Sequence, residues 1–300
     1  MTAAELIEKI SKVTVWKRGG IRAPHKPLLI LLALGRVAQK KPRLMRFSEI
    51  EKPLRQLLMD FGPRRQSYHP EYPFWYLCNN KIWEVEHAGE MALKKNHREP
   101  RLEDMRDGTG GFLPDVYDVL EDHPEVLKEA ASNILKANFP DSLHDEILSA
   151  VGLSLEEMES KRRKRDPEFR TQVVRAYQHR CAICGFDVRL GAVDLGLEAA
   201  HIQWHQAGGP DRVENGLCLC SMHHHLFDRG AFAFTNERQL MVSEEVHGTS
   251  GLDEWLFRFE GQTINKPQRE TYLPKPEFLH WHRTEVFKSP ARETPKETPS

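Results

Sequence analysis

Two short ligand pairs, Cys181-Ala-Ile-Cys184 and Cys220-Ser-Met-His223, constrain this chain more than any other feature. Each pair bends two soft or borderline donors toward one point. The two lie about 36 residues apart, the arrangement of a structural zinc site closed by thiolate and imidazole. A thiol redox pair accounts for Cys181 and Cys184 but leaves His223 unexplained. Cys218 competes as a ligand, but only Cys220 gives the tight two-residue gap, so Cys218 reads as a small buried residue of a strand over 217–219. Cys78 stands alone and reads as core. Five cysteines, four of them crowded between 181 and 220, do not form a secreted disulfide framework and suit a cytosolic metal site.

The remaining sequence divides into a larger first half and this metal-bearing second half. Three hundred residues at 39% hydrophobic supply a core for each of two domains. The longest strongly apolar run, Pro27 to Leu34, falls far short of the ~20 residues that span a bilayer, so a cytoplasmic protein without a membrane partner is expected. A net charge of −1 conceals an asymmetry: residues 1–100 carry 19 Lys/Arg against 10 Asp/Glu, whereas 101–160 carry 4 against 15. The basic segment suits a polyanion or a solvated surface.

Thr2 with Glu5, and Ser48 with Glu51, match the capping box that opens a helix. Pro27 suits a first helical position ahead of an apolar run buried all round. Tyr72 to Cys78 and Ile82 to Val85, joined through Asn79-Asn80, read as an aromatic β-hairpin. Helical patterns return over 114–120, 124–137 and 143–151. The fold expected is α+β: a mostly helical domain with a small hairpin or sheet over 1–152, and a second domain over 167–287. A charged linker is expected at 153–166 and a disordered tail at 288–300. Within the linker, Lys161 to Arg165 suits a phosphate backbone or a solvated spacer equally. Asp166-Pro167 opens a helix running to about His179.

Between the zinc pairs, His201 ends an apolar strand over 193–200, Asn215-Gly216 follows fourteen residues later, and His224 nine residues after Asn215. The stretches AAHIQW and NGLCLCSMHHHLFDRGAF resemble the HNH endonucleases of the ββα-metal fold, over about 181–235. The resemblance implies His201 as general base, a role that suits a side chain titrating near neutrality. It implies Asn215 as the residue that holds the loop, and His224 as a ligand of a catalytic divalent cation, magnesium or manganese. Asp228, four residues on, covers the same helix face and joins His224 in binding that ion. Many members carry a metal ligand directly before the base; Ala200 stands there, and Glu198 reads as a solvated strand-end carboxylate, with support of the metal ligands as the alternative.

Ala23-Pro-His-Lys-Pro-Leu-Leu29 and Tyr72-Pro-Phe-Trp75 resemble the sulfur-binding domain of McrA-like, phosphorothioate-dependent restriction endonucleases, over about 1–150. The resemblance implies a shallow apolar pocket at Tyr72 and Pro73 that takes sulfur and penalises a hydrated oxygen. It implies phosphate or base contacts from Arg22, His25, Lys26, His97 and Arg98. The expected activity is restriction-type hydrolysis of double-stranded DNA, directed to phosphorothioate; a homodimer stays open. Two other readings remain: an HNH enzyme directed to modified cytosine, and a non-catalytic DNA-binding regulator with structural zinc alone.

Overall fold

The computed structural model describes residues 1–13, 24–89, 91, 100–153 and 167–293. Arg22, His97, Arg98, the run Lys161 to Arg165, Asp166 and the last seven residues lie outside them. The chain forms two compact units, 1–161 and 162–300. The fold class is α+β: among the described residues, eight α-helices stand against three short strands in the first unit, and four against six in the second.

The first unit is built around one buried helix. After α1 (Ala3–Ser11), α2 (His25–Ala38) buries ten consecutive or near-consecutive residues from Pro27 to Val37. β1 (Leu44–Arg46), α3 (Phe47–Phe61), α4 (Glu71–Tyr76), β2 (Trp83–Val85), α5 (Leu102–Asp107) and β3 (Thr109–Phe112) follow. Then come α6 (Pro114–Asp122), α7 (Pro124–Asn138) and α8 (His144–Val151). Helices α3, α4, α6, α7 and α8 all pack on α2. The apolar all-round pattern of α2 is what such a central position requires. Gly35 permits its contact with α8, because a Cβ there would lie 1.9 Å from the Val151 carbonyl oxygen. The Thr2–Glu5 capping box forms in full. Ser48 caps nothing: α3 starts a residue earlier, behind Arg46, without a side-chain cap.

The expected hairpin is the main difference in this unit. Tyr72 to Tyr76 is helical, in α4, and Leu77 to Asn80 continues as a 3-10 turn. Only the second arm exists as a strand, β2, and it pairs with β3 in an antiparallel sheet of order β1-β3-β2. Two physical features favour the helix. Pro70 is already in the α region and Pro73 sits in the first turn, where a missing N–H costs nothing. The aromatics also meet at helical spacing: His69 stacks on Tyr72 at 4.8 Å, and Tyr72 meets Tyr76 edge-on at 6.4 Å. Phe74 points inward to a chain of rings running Phe47, Phe74, Trp83, Phe112.

The second unit opens with α9 (Pro167–Ala176), which stops short of His179 because Gln178 and His179 take left-handed conformations. A small hairpin, β4 (Arg189–Leu190) and β5 (Val193–Asp194), precedes β6 (Leu197–His201) and β7 (Gly216–Cys220). β6 and β7 pair antiparallel with Leu197 opposite Cys220 and His201 opposite Gly216. Helix α10 (Ser221–Asp228) packs on both, completing a ββα unit. A second hairpin, β8 (Phe232–Phe234) and β9 (Leu240–Val242), then α11 (Leu252–Trp255) and α12 (Pro276–Glu285), close the core. Residues 288–292 differ from the tail expected there. The Lys288 and Arg292 amides donate to Gly230 and Val242, Ala291 bridges Ser243, and the Arg292 guanidinium lies 3.8 Å over Phe257. No helix among the described residues is long and apolar enough to cross a membrane.

Candidate active site and metal centre

The Cys181–Cys184 turn is closed by backbone bonds, Gly185 N–H to Cys181 O at 3.0 Å and Cys181 N–H to Phe186 O at 2.9 Å. Cys220 ends β7, and His223 lies in the first turn of α10, so strand and helix deliver the second pair. Donor atoms of Cys181, Cys184, Cys220 and His223 all lie within 4.8 Å of one another. Cys184 Sγ is 3.9 Å from Cys220 Sγ, and Cys181 Sγ is 3.7 Å from His223 Nδ1. A tetrahedron with ~2.3 Å zinc–sulfur bonds has edges near ~3.8 Å, so the quartet fits zinc in size as well as chemistry. His223 Nε2–H donates to the Trp255 carbonyl at 2.7 Å, which leaves Nδ1 as the ligand atom. Hydrogen bonds from Cys184 and then Cys220 hold the Cys181 thiol well down, which builds negative charge into the cluster. Burial opposes a charge on His223, but Cys181 and Cys184 hold it up at about 10. The site favours a cation. Cys218 lies outside the quartet, fully buried, its thiol pushed up to about 12 by burial.

The ββα unit brings His201, Asn215, His224 and Asp228 together. Asn215 is completely buried, and its side chain is a clamp. Its Oδ1 accepts from Gln203 N–H at 2.9 Å, while Nδ2 donates to Gln203 O and to Pro210 O, both at 3.0 Å. Gly209 makes room for it: a Cβ there would lie 1.9 Å from Gln203 O and 2.9 Å from Asn215 Nδ2. His201 stacks on Phe169 of α9, ring centres 4.0 Å apart at 15°. Burial holds its pKa below the ordinary value, so the ring is neutral at neutral pH.

His224 and Asp228, both nearly buried, face each other one helical turn apart, Nε2 to Oδ2 at 3.1 Å. The other ring nitrogen, Nδ1, donates to Glu198 of β6, whose second oxygen accepts from Ser221 Oγ at 2.9 Å. Glu198 is therefore not the solvated carboxylate expected from its strand-end position. Alternation along β6 turns it toward α10, where it fixes the His224 ring and leaves Nε2 to pair with Asp228. Burial alone would depress His224, but the Asp228 charge and hydrogen bond, then those of Glu198, raise it to about 9. One imidazole and one carboxylate side by side in a negative pocket suit a divalent cation.

In the first unit, His25 is depressed by burial and then by the charges of Arg65 and His69, so the structure groups those three with Tyr72, on which His69 stacks. Lys26 Nζ donates to Asn80 Oδ1 at 2.7 Å. Pro73 is buried and Tyr72 half-buried. Arg65 and His69 carried no sequence signal beyond their place in a polar loop.

The family model for the ScoMcrA-like DNA sulfur-binding domain matches residues 3–156, half of the chain. This chain belongs to that family. A second family model, described as HNH endonuclease, matches residues 181–235, the stretch that holds the quartet and the ββα residues. Similar solved structures include the sulfur-binding domain of ScoMcrA complexed with phosphorothioated DNA, 28% identical, covering 51% of this chain and 97% of that one at a TM-score of 0.45. The sulfur-binding domain of SprMcrA complexed with phosphorothioated DNA is 19% identical over 52% of this chain and 97% of that one, TM-score 0.45. The Type IV phosphorothioation-dependent restriction endonuclease ScoMcrA is 28% identical over 49% of this chain, which spans 32% of its length, TM-score 0.42. No curated protein matches.

Proposed function

We propose that this protein is a restriction-type DNA endonuclease that reads phosphorothioate with its first unit and cleaves with its second. The observation that carries this reading is the union, in one chain, of a sulfur-binding family member and an HNH stretch whose base, clamp and metal pair are all present in compatible geometry. In this reading His201, neutral through burial, removes a proton from the water that attacks phosphorus, and the O3′ leaves. Asn215 keeps the 203–210 loop in place beside it. His224 and Asp228 hold a divalent ion, magnesium or manganese, which supplies positive charge against the phosphate oxygens. Zinc at Cys181, Cys184, Cys220 and His223 is structural.

Tyr72 and Pro73, with His25, Lys26, Arg22, His97 and Arg98, are proposed to contact the modified strand. Tyr72 fits best, since it gathers with His25, His69 and Arg65. The buried Pro73 shapes the pocket floor instead of standing proud of it.

The test is side-by-side digestion of phosphorothioated, cytosine-methylated and unmodified duplexes by the full chain, with added magnesium or manganese. Cleavage confined to the phosphorothioated duplex, and lost in His201→Ala, is expected. Cleavage of the methylated duplex alone moves the reading to a modified-cytosine enzyme. Binding without cleavage under every ion condition leaves a zinc-stabilised DNA-binding regulator.

A further inference from the structure

We propose that Asp211 is the positioning carboxylate of the general base: it grips His201 through Nε2 and leaves Nδ1 to take the proton from water. The proposal rests on the nuclease reading of the second unit and deepens it.

Asp211 Oδ1 lies 2.7 Å from His201 Nε2, a short charge-assisted contact. Among the described residues the opposite ring nitrogen, Nδ1, has no hydrogen-bond partner. A carboxylate can only accept, so the neutral ring must carry its proton on Nε2 and its lone pair on Nδ1. The same contact and the face of Phe169 fix the ring from two directions, edge and plane. A base needs both the right tautomer and the right aim.

The location of Asp211 depends on the Asn215 clamp. Asp211 directly follows Pro210, whose carbonyl accepts from Asn215 Nδ2 at 3.0 Å, and the Arg212 amide donates back to Pro210 O at 2.9 Å. The Asn215 amide itself donates to Arg212 O at 2.9 Å. Asp211 is thus held between two residues bonded to the clamp, and the loop bends back over the end of β6 where His201 stands. In this arrangement the buried asparagine does not touch the base; it delivers the carboxylate that does.

Four groups face His201. Phe169 on α9 contributes burial, which lowers its pKa; Asp211 on the loop raises it; His205, in the 3-10 turn 205–207, lowers it; and Asp228 on α10 raises it. His205 lies at 4.0 Å from the second Asp211 oxygen and is well exposed, so it screens the carboxylate from one side without competing for Nε2. Removing the Asp211 charge deletes the strongest upward influence and leaves the ring free to carry its proton on either nitrogen.

Two measurements on the full chain test this. The first labels the histidines with nitrogen-15 and reads the His201 tautomer, its signal assigned by its absence in His201→Gln. The Nε2–H form is expected in the wild type, and a mixture in Asp211→Asn. The second follows DNA nicking against pH at saturating manganese. In Asp211→Asn the plateau is expected to fall by about 100-fold, as when an orienting carboxylate behind a histidine is lost. The acidic limb is expected to move to lower pH, because the base loses its upward influence. A residue with only a structural role would lower the folded fraction and leave that limb where it was. Nδ1–H in the wild type overturns the proposal, and so does an Asp211→Asn enzyme with wild-type plateau and limb. Should Asp211→Asn fail to fold, the wild-type tautomer decides alone. A wild-type chain that nicks no DNA defeats the nuclease reading, and the tautomer still reports on Asp211.

Discussion

Asn215 offers the sharpest test of how the site is held, because two substitutions of different size should fail in a counterintuitive order. Asn215→Ala removes three hydrogen bonds around a fully buried side chain: the Gln203 N–H and Gln203 carbonyl lose the partner it supplied, and the Pro210 carbonyl keeps only the Arg212 amide. At about 1 kcal/mol net per bond, the loss is about 3 kcal/mol, or a fall of roughly 10 °C in the melting temperature of the second unit. Asn215→Asp keeps the size and keeps the acceptor for Gln203 N–H. It replaces the Nδ2 donor, though, with an oxygen aimed at two carbonyl oxygens that stood 3.0 Å away, and it buries a charge. Its cost is expected to equal or exceed that of alanine, about 3–5 kcal/mol. Scanning calorimetry of the zinc-loaded full chain measures both. Amide exchange at Gln203 separates them, since that N–H loses its partner in Asn215→Ala and retains it in Asn215→Asp. An aspartate variant clearly more stable than the alanine variant, or a Gln203 amide equally protected in both, would refute the clamp.

Four further outcomes follow from the same geometry. Elemental analysis should find one zinc per chain, and Cys184→Ser should lose it together with the second unit's melting transition, because a small ββα unit draws its stability from the ion. His201→Ala should reduce nicking by at least about 100-fold while zinc content and DNA binding stay at wild-type levels, as checked by gel shift. Gly35→Ala should cost the first unit about 3 kcal/mol in urea unfolding, since the added methyl meets the Val151 backbone oxygen and no flexible side chain can give way. Without added divalent ion, His224 gives the second unit a pH-dependent term. Its folded pKa of about 9 lies above the unfolded value near ~6.5, so the stabilisation is complete below pH ~6.5 and is lost as pH rises through about 9. The change is at most about 3 kcal/mol, and Glu198→Gln should shrink it.

Much of this was legible in the sequence where a pattern carries its own geometry. The paired two-residue gaps gave the quartet, the capping box at Thr2 gave α1, and the unbroken apolar run gave the central helix. The segment 72–78 misled because aromatics favour strands by composition. What decided it was a pair of prolines and two ring contacts at helical spacing, with Phe74 packed on Phe47, and only a packed core makes these visible. Asp211 escaped, and Glu198 reads as solvated before it reads as a support of the site, for a different reason. Each acts by reaching a histidine far along the chain, 26 residues away for Glu198 and 10 for Asp211. An acidic residue in a polar stretch looks the same whether it faces water or an imidazole, and only the register of β6 on α10 and the path of the 203–212 loop tell them apart.

The run His223-His224-His225 shows why the cysteine–histidine quartet and the Glu198–His224–Asp228 cluster cannot be understood separately. Successive residues on a helix point about 100° apart, so three adjacent histidines sweep a little over half of the way round α10 and a rotation of one residue would exchange their partners. The structure resolves the choice by burial and contact. His223 is fully buried against the thiols, His224 lies between Glu198 and Asp228, and His225 is only half-buried. What sets the rotation is the quartet: Cys220 ends β7 at the last residue before the helix, and His223 is tied to it at 3.1 Å and to Trp255 O at 2.7 Å. With that side pinned, His224 can point only across the helix toward β6. An eight-residue helix is marginal by itself in water, so nothing intrinsic to α10 would hold this orientation. The Cys181, Cys184, Cys220 and His223 quartet therefore does more than close the unit. It fixes the angle at which the His224 imidazole meets Glu198 and Asp228.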